Sequence, residues 1–337
     1  MQLALDLAKK GWPVVAPNPM VGCIVVFNDI IIAKGYHKKY GDSHAEVNAI
    51  NDLPENINPS DCIMYVTLEP CSHYGKTPPC ADLIIKKGFK KVVVCNLDPN
   101  PLVAGQGIEK LKNAGIEVLT GVLEQNGRNL NRRFFTFYEK KRPYIILKWA
   151  QTADGYISKM PIPVNRIDNL ITGNEAQTYS HNLRANEMAI MVGKNTVLYD
   201  NPKLTTRHVK GNNPLRLFID KDLSVSTNFN VYDNSANTIV FNRLKEDIEG
   251  NISFVKLDFS ENIIIQIIEK LVDLKIQSLI IEGGAKLLTS FINAKLFDEI
   301  LVFENPELKF EKGIKSPQVN FKEKFELVGS DKLYKLP

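Results

Sequence analysis

His44-Ala45-Glu46, followed by Thr67-Leu68-Glu69-Pro70-Cys71-Ser72-His73-Tyr74-Gly75-Lys76-Thr77-Pro78-Pro79-Cys80, is the stretch on which the fold of this chain turns. Cys62–Leu68 is an apolar run bounded by turn residues and reads as a strand. The spacing predicts a helix from His44 to Ile50, with Asp42 or Ser43 as N-cap and His44 in the first turn. Glu46, two residues on, points elsewhere around that helix. Cys71 and Cys80 enclose a loop carrying Gly75, Pro78 and Pro79, and Cys80 opens a helix to Lys87. A thiol there faces the positive end of the helix dipole, which favours its thiolate. One imidazole, two thiols and one spare carboxylate are the parts of a catalytic zinc site, in which three N/S donors hold the ion and one position stays open. The carboxylate is left to move protons.

Working outward, 337 residues exceed the usual single domain of about 100–200, so two domains are expected. Net charge is +4, from 42 basic and 38 acidic residues, too balanced to point to nucleic acid. The basic runs Arg132-Arg133 and Lys140-Lys141-Arg142 read as solvated helix faces. Five cysteines in a long chain are not a secreted disulfide framework. Cys23, Cys62 and Cys95 lie in apolar runs and read as core thiols. The amphipathic start is not a signal peptide, and no apolar run approaches the roughly 20 residues that span a bilayer. A cytoplasmic protein with no membrane partner is expected.

Strands and helices alternate along the chain. Val21–Val26 and Ile30–Ala33 read as a hairpin, Lys91–Asn96 and Glu117–Thr120 as strands, and Ile108–Ala114 as a helix. Leu123–Lys141 reads as one helix, stopped by Arg142-Pro143, which sets the domain boundary: 1–142 and 143–337. In the second half Tyr144–Gln151, Ala189–Gly193, Leu215–Asp220, Thr238–Phe241, Ser253–Leu257 and Ser278–Ile281 read as strands, and Glu175–Asn186, Ile263–Leu274 and Ala285–Leu296 as helices. Both halves are therefore α/β. Glu282-Gly283-Gly284 lies between a strand and a helix and can offer free N–H groups to a phosphate, although packing alone could also require its glycines.

The His-x-Glu plus paired-cysteine pattern is the general signature of zinc deaminases, with the glutamate as acid/base and not a ligand. The eight residues between the cysteines exceed the usual two. The full pattern resembles the bifunctional riboflavin-biosynthesis deaminase–reductase family. Pro17-Asn18-Pro19-x-Val21-Gly22-Cys23, His44-Ala45-Glu46 and the stretch from Thr67 to Cys80 carry the resemblance, with Asp98-Pro99-Asn100-Pro101 beside them. It continues through Lys148-x-Ala150, Asp154-Gly155, Leu183-Arg184-Ala185, Asn195-Thr196-Val197, Asp200-Asn201-Pro202, Leu204-Thr205-x-Arg207 and Glu282-Gly283-Gly284.

The resemblance implies a cytidine-deaminase-like three-layer domain followed by a dihydrofolate-reductase-like domain. It implies Zn²⁺ on His44, Cys71 and Cys80, with Glu46 catalytic, and a pyrimidine phosphate as small-molecule substrate. Asn18, His73 and Lys76 are candidate substrate contacts in the first domain. In the second, Ala150, Thr196, Asp200 and Gly284 would contact NADPH, and Arg184, Leu204, Arg207 and Glu282 the substrate. Paired guanidinium groups suit a phosphate. A homo-oligomer is the expected assembly. The chain departs from the family at Asp168-Asn169-Leu170, in the Pro-rich, basic stretch Lys159–Asp168 and at Phe303-Glu304-Asn305-Pro306. Two rivals stand beside this reading: a nucleoside or tRNA deaminase with a non-catalytic accessory domain, and a structural zinc site, with His73 as fourth ligand, beside a nucleotide-binding module.

Overall fold

Alternating strands and helices build two α/β units, Met1–Lys141 and Arg142–Pro337. The structure, a computed structural model, describes all residues except 75–77, 102–103, 164–165 and 321–323, and the side chains of 166 and 167.

The first unit runs α1 (Gln2–Ala8), β1 (Gly22–Phe27), β2 (Ile30–Tyr36), α2 (Ala45–Asn51), β3 (Ile63–Leu68), α3 (Cys80–Lys87), β4 (Lys91–Asn96), α4 (Gln106–Asn113), β5 (Glu117–Thr120), α5 (Glu124–Leu130) and α6 (Arg132–Lys140). Its sheet has the order β2-β1-β3-β4-β5; β1 is antiparallel to both neighbours, and β3, β4 and β5 are parallel. One face is covered by α2, α3 and α4, whose Ala49, Ile84 and Leu111 cluster with Val25, Val66 and Val94. α1 packs on the sheet through buried Ala4, Leu5 and Ala8. The helix–sheet–helix sandwich is the three-layer arrangement expected. α2 approaches β2 closely: a Cβ on Gly35 would lie 2.3 Å from the Ala45 carbonyl oxygen, so only glycine lets α2 lie there.

Two local expectations are corrected. His44 is itself the N-cap of α2, with extended backbone (φ −69°, ψ 166°), rather than a first-turn residue. The stretch from Leu123 to Lys141 is two helices that break at Asn131. The buried Asn131 amide donates to the Met20 carbonyl (2.9 Å) and accepts from the Met20 N–H (2.8 Å), which holds it out of helical geometry.

The second unit runs β6 (Tyr144–Thr152), β7 (Tyr156–Lys159), α7 (Asn174–Asn186), β8 (Ala189–Val192), α8 (Lys194–Asp200), β9 (Leu215–Ile219), β10 (Thr238–Asn242), β11 (Asp247–Glu249), β12 (Ile252–Lys256), α9 (Ile263–Asp273), β13 (Ser278–Glu282), α10 (Ala285–Asn293), β14 (Glu299–Asn305), β15 (Gly313–Lys315), β16 (Glu326–Val328) and β17 (Asp331–Leu336). The main sheet has the order β11-β12-β10-β9-β8-β13-β6-β14-β17-β16, parallel from β12 through β14. α9 and α10 bury Ile267, Leu271, Leu288 and Phe291 in the largest core cluster. Arg142, read from the sequence as a helix stop, is tied into this unit by a guanidinium pair with Asp298 (Nη2–Oδ1 2.7 Å). Ala150, Gly193 and Glu282 fall at or just beyond the C-terminal ends of the adjacent parallel strands β6, β8 and β13, the edge where open α/β sheets bind ligands. Among the described residues no helix is long and apolar enough to cross a membrane.

Candidate active sites

In the first unit the N-terminus of α2, the loop after β3 and the N-terminus of α3 bring His44, Cys71 and Cys80 together. Their donor atoms lie within 4.8 Å of one another. His44 Nδ1 is 3.6 Å from Cys71 Sγ and 3.3 Å from Cys80 Sγ. Donors placed tetrahedrally at Zn–N and Zn–S bond lengths would be about 3.5 Å apart, so the donor set and its spacing fit zinc. Among the described residues no fourth protein donor joins the cluster, and His73 is exposed. Three protein donors are the pattern of a catalytic zinc site, whereas a structural one has four.

Protonation in the cluster is shared. A hydrogen bond from Cys80 holds the Cys71 thiol down at about 4, while the same bond and burial push Cys80 up. The hydrogen bond to Cys71 raises His44 to about 9. A cation entering this site therefore displaces protons. Glu46, 3% exposed in the first turn of α2, is raised to about 7 by burial and carries a hydrogen bond to Cys80.

Asn18 reaches the cluster through His37, a residue the sequence reading passed over. His37 Nδ1 faces the Ser43 carbonyl at 3.1 Å, so in the neutral ring that nitrogen carries the proton. Nε2 is then the acceptor for the Asn18 amide at 3.1 Å, and the His37 ring meets His44 edge-on at 5.6 Å. Two residues before Cys71, the buried Glu69 carboxylate accepts from the N–H groups of Asp98, Gly105, Gly107 and Ile108 at 2.9–3.2 Å. Burial lifts Asp98 to about 6. Lys76 lies outside the described residues.

The second unit holds a cavity of about 1180 Å³. Ala150, Thr196, Asp200 and Gly284 all line it, as do Arg184, Leu204, Arg207 and Glu282. Asn169 and Leu170, from the divergent segment, line it too. Arg184 grips Glu282 with Nη2–Oε2 at 2.7 Å and Nε–Oε1 at 3.3 Å. Burial would raise the Glu282 carboxyl, but Arg184 and Lys148 outweigh it and hold it at about 2. Lys148 was not singled out from the sequence as a site residue; a lysine inside the apolar strand Ile145–Trp149 was the available cue. Burial lowers its amine. Gly283 (φ +66°) and Gly284 (φ +75°) turn the chain from β13 into α10, and a Cβ on either would meet the Thr196 side chain at 3.3 Å. This glycine cradle at a helix N-terminus fits a phosphate-bearing cofactor.

The two units thus define a metal-site deaminase joined to an α/β unit with a nucleotide-sized cavity. Residues 1–96 match the family model described as the cytidine and deoxycytidylate deaminase zinc-binding region, and residues 143–332 match the RibD C-terminal domain. The riboflavin biosynthesis protein RibD of Aquifex aeolicus is 42% identical over an alignment covering 98% of this chain and 95% of that protein. The crystal structure of a diaminohydroxyphosphoribosylaminopyrimidine deaminase/5-amino-6-(5-phosphoribosylamino)uracil reductase from Thermotoga maritima superposes with TM-score 0.87 at 36% identity, covering 99% of this chain and 96% of that one. Acinetobacter baumannii RibD superposes with TM-score 0.86 at 30% identity, again covering 99% and 96%. The chain belongs to the RibD family of riboflavin-biosynthesis proteins and carries its deaminase and reductase domains. Matches across both halves set aside the reading with a non-catalytic accessory domain.

Proposed function

We propose that the protein hydrolytically deaminates 2,5-diamino-6-(5-phosphoribosylamino)pyrimidin-4-one and then reduces the ribosyl group with NADPH, giving 5-amino-6-(5-phosphoribitylamino)uracil. The observation that carries the reading is the three-donor cluster over buried Glu46, on the same chain as the cavity holding Arg184 and Glu282. The Thermotoga maritima protein, named for both reactions, supports it. Five free cysteines and the pathway fit the cytoplasm.

His44, Cys71 and Cys80 hold zinc, which when bound lowers the pKa of water so that a nucleophile exists near neutral pH. Glu46 sits at about 7, the range in which a carboxyl can both take and give a proton. It accepts a proton from the attacking water and gives it to the ring nitrogen as the C–O bond forms, then takes the remaining hydroxyl proton and gives it to the amino group, so that the C–N bond breaks, the ring carbonyl forms and ammonia leaves. Asn18, with His37 behind it, and His73 and Lys76 orient the pyrimidine and its phosphate.

In the second unit Ala150, Thr196, Asp200 and Gly284 hold NADPH, which supplies a hydride when bound. Arg184 and Arg207 bind the substrate phosphate, and Leu204 and Glu282 complete the substrate wall. The buried Lys148 amine can give the proton that must accompany the hydride when the sugar ring opens.

Glu46→Gln tests the first step. Metal analysis should still find zinc, ammonia release should fall by about 10²–10⁴-fold, and NADPH oxidation with the already deaminated pyrimidine should be unchanged. Undiminished ammonia release would remove Glu46 from the chemistry. Wild-type protein that deaminates but never oxidises NADPH would remove the second step.

A further inference from the structure

His181 lies on α7, one turn before Arg184, and lines the reductase cavity while only 4% exposed. Its Nδ1 accepts the backbone N–H of Arg207 at 3.0 Å. Its ring stacks on that of His208, with centroids 4.3 Å apart and planes 9° from parallel. The segment it touches needs holding. Leu204 enters it at φ +54° although its side chain is 3% exposed, a left-handed conformation that persists only when the surroundings over-determine it. The Thr205 carbonyl accepts from Arg184 Nη1 at 3.4 Å and from Arg207 Nη1 at 3.3 Å, and the Thr206 N–H donates to Asn213 at 2.8 Å. His181 fastens the main chain of Arg207 itself.

We propose that His181 is a positioning residue for the reductase: it fixes the main chain of residues 204–208 and so aims Leu204 and Arg207 into the cavity. The inference rests on the reading of Arg207 as a phosphate ligand. Accepting a hydrogen bond at Nδ1 requires the ring to be neutral there, with its proton on Nε2. Burial, Arg184, Arg207 and His208 all disfavour protonation, and Glu282 opposes them more weakly.

Two substitutions separate the acceptor from the ring. Asn at 181 puts a carboxamide oxygen near the place of Nδ1, whereas Phe keeps the stack on His208 and removes the acceptor. His181→Phe should raise the reductase KM for the phosphoribosyl pyrimidine by about three- to tenfold, as expected for one neutral hydrogen bond. Its kcat and its Kd for NADPH should stay within about twofold, and His181→Asn should behave as wild type. Fluorescence of the buried Trp149 is the folding control for the second unit, and ammonia release, which comes from the other unit, normalises for the amount of intact enzyme. An unchanged KM in His181→Phe, an equal defect in His181→Asn, or a parallel loss of NADPH affinity would overturn the proposal. Arg207→Ala separates the layers. If it leaves KM unchanged, the phosphate reading falls and takes this inference with it; if it raises KM while His181→Phe does not, only the inference falls. Should the Phe variant not fold, nitrogen NMR of wild-type His181 decides: a proton on Nδ1 contradicts the acceptor role, and a proton on Nε2 alone supports it.

Discussion

Glu282→Gln removes one charge from the reductase cavity and nearly preserves shape. The wild-type carboxyl sits at about 2 against an ordinary 4.5, because Arg184 and Lys148 outweigh the cost of burying it. The gap of about 2.5 pH units is worth roughly 3 kcal/mol at ~1.4 kcal/mol per unit. That agrees with the ~3–5 kcal/mol lost when one partner of a buried pair is removed. Because the folded pKa is depressed, this stability is complete above the unfolded value of 4.5 and is lost as pH falls toward about 2. Glutamine does not titrate, so the deficit of the variant should shrink from roughly 3 kcal/mol at pH 7 to about 2 at pH 3.5. Urea unfolding followed by tryptophan fluorescence resolves the second unit, since Trp149 is buried there and the other tryptophan, Trp12, lies in the first. With a slope of about 1–3 kcal/mol per molar urea, the Trp149 midpoint should fall by about 1–3 M at pH 7. A variant within about 0.5 kcal/mol of wild type at pH 7, or a deficit that widens on acidification, would refute the reasoning.

Cys80→Ser should drop zinc content well below one per chain and abolish ammonia release, with NADPH oxidation intact; a zinc-loaded variant would show that two donors suffice. Gly283→Ala forces a side chain onto a φ of +66° and against Thr196 at 3.3 Å. It should destabilise the second unit by about 1–3 kcal/mol and weaken NADPH binding in a calorimetric titration; an unaltered Kd would count against the glycine turn as the cofactor cradle. Asn131→Ala strands both Met20 backbone groups and should lower first-unit stability by about 2 kcal/mol or more, read by calorimetry, while leaving the reductase KM alone.

The His44–Cys71–Cys80 cluster was the most legible feature of the chain. Its chemistry demands particular side chains, and its three donors fall within a 37-residue window from His44 to Cys80 in which one strand and two helix starts set their positions. Alternation of β-branched runs with amphipathic stretches was enough to name both halves α/β, and Arg142-Pro143 gave the expected joint because proline cannot continue a helix. What escaped depends on partners distant in sequence. Asn131 breaks a helix for the sake of Met20, 111 residues earlier. His37 gains its place beside His44 only when the hairpin folds back on α2. Lys148 stands in the motif Lys148-x-Ala150, but only β13 brings Glu282 next to it across a parallel ladder. By itself the sequence determined which groups are present and which local backbone they sit on, because propensity and spacing act over a few residues. Only the tertiary structure decided which charge faces which, and how far the carboxyls of Glu46 and Glu282 are driven in opposite directions. Burial and Coulomb energy depend on what surrounds a group in space, and a linear order of residues does not contain that distance.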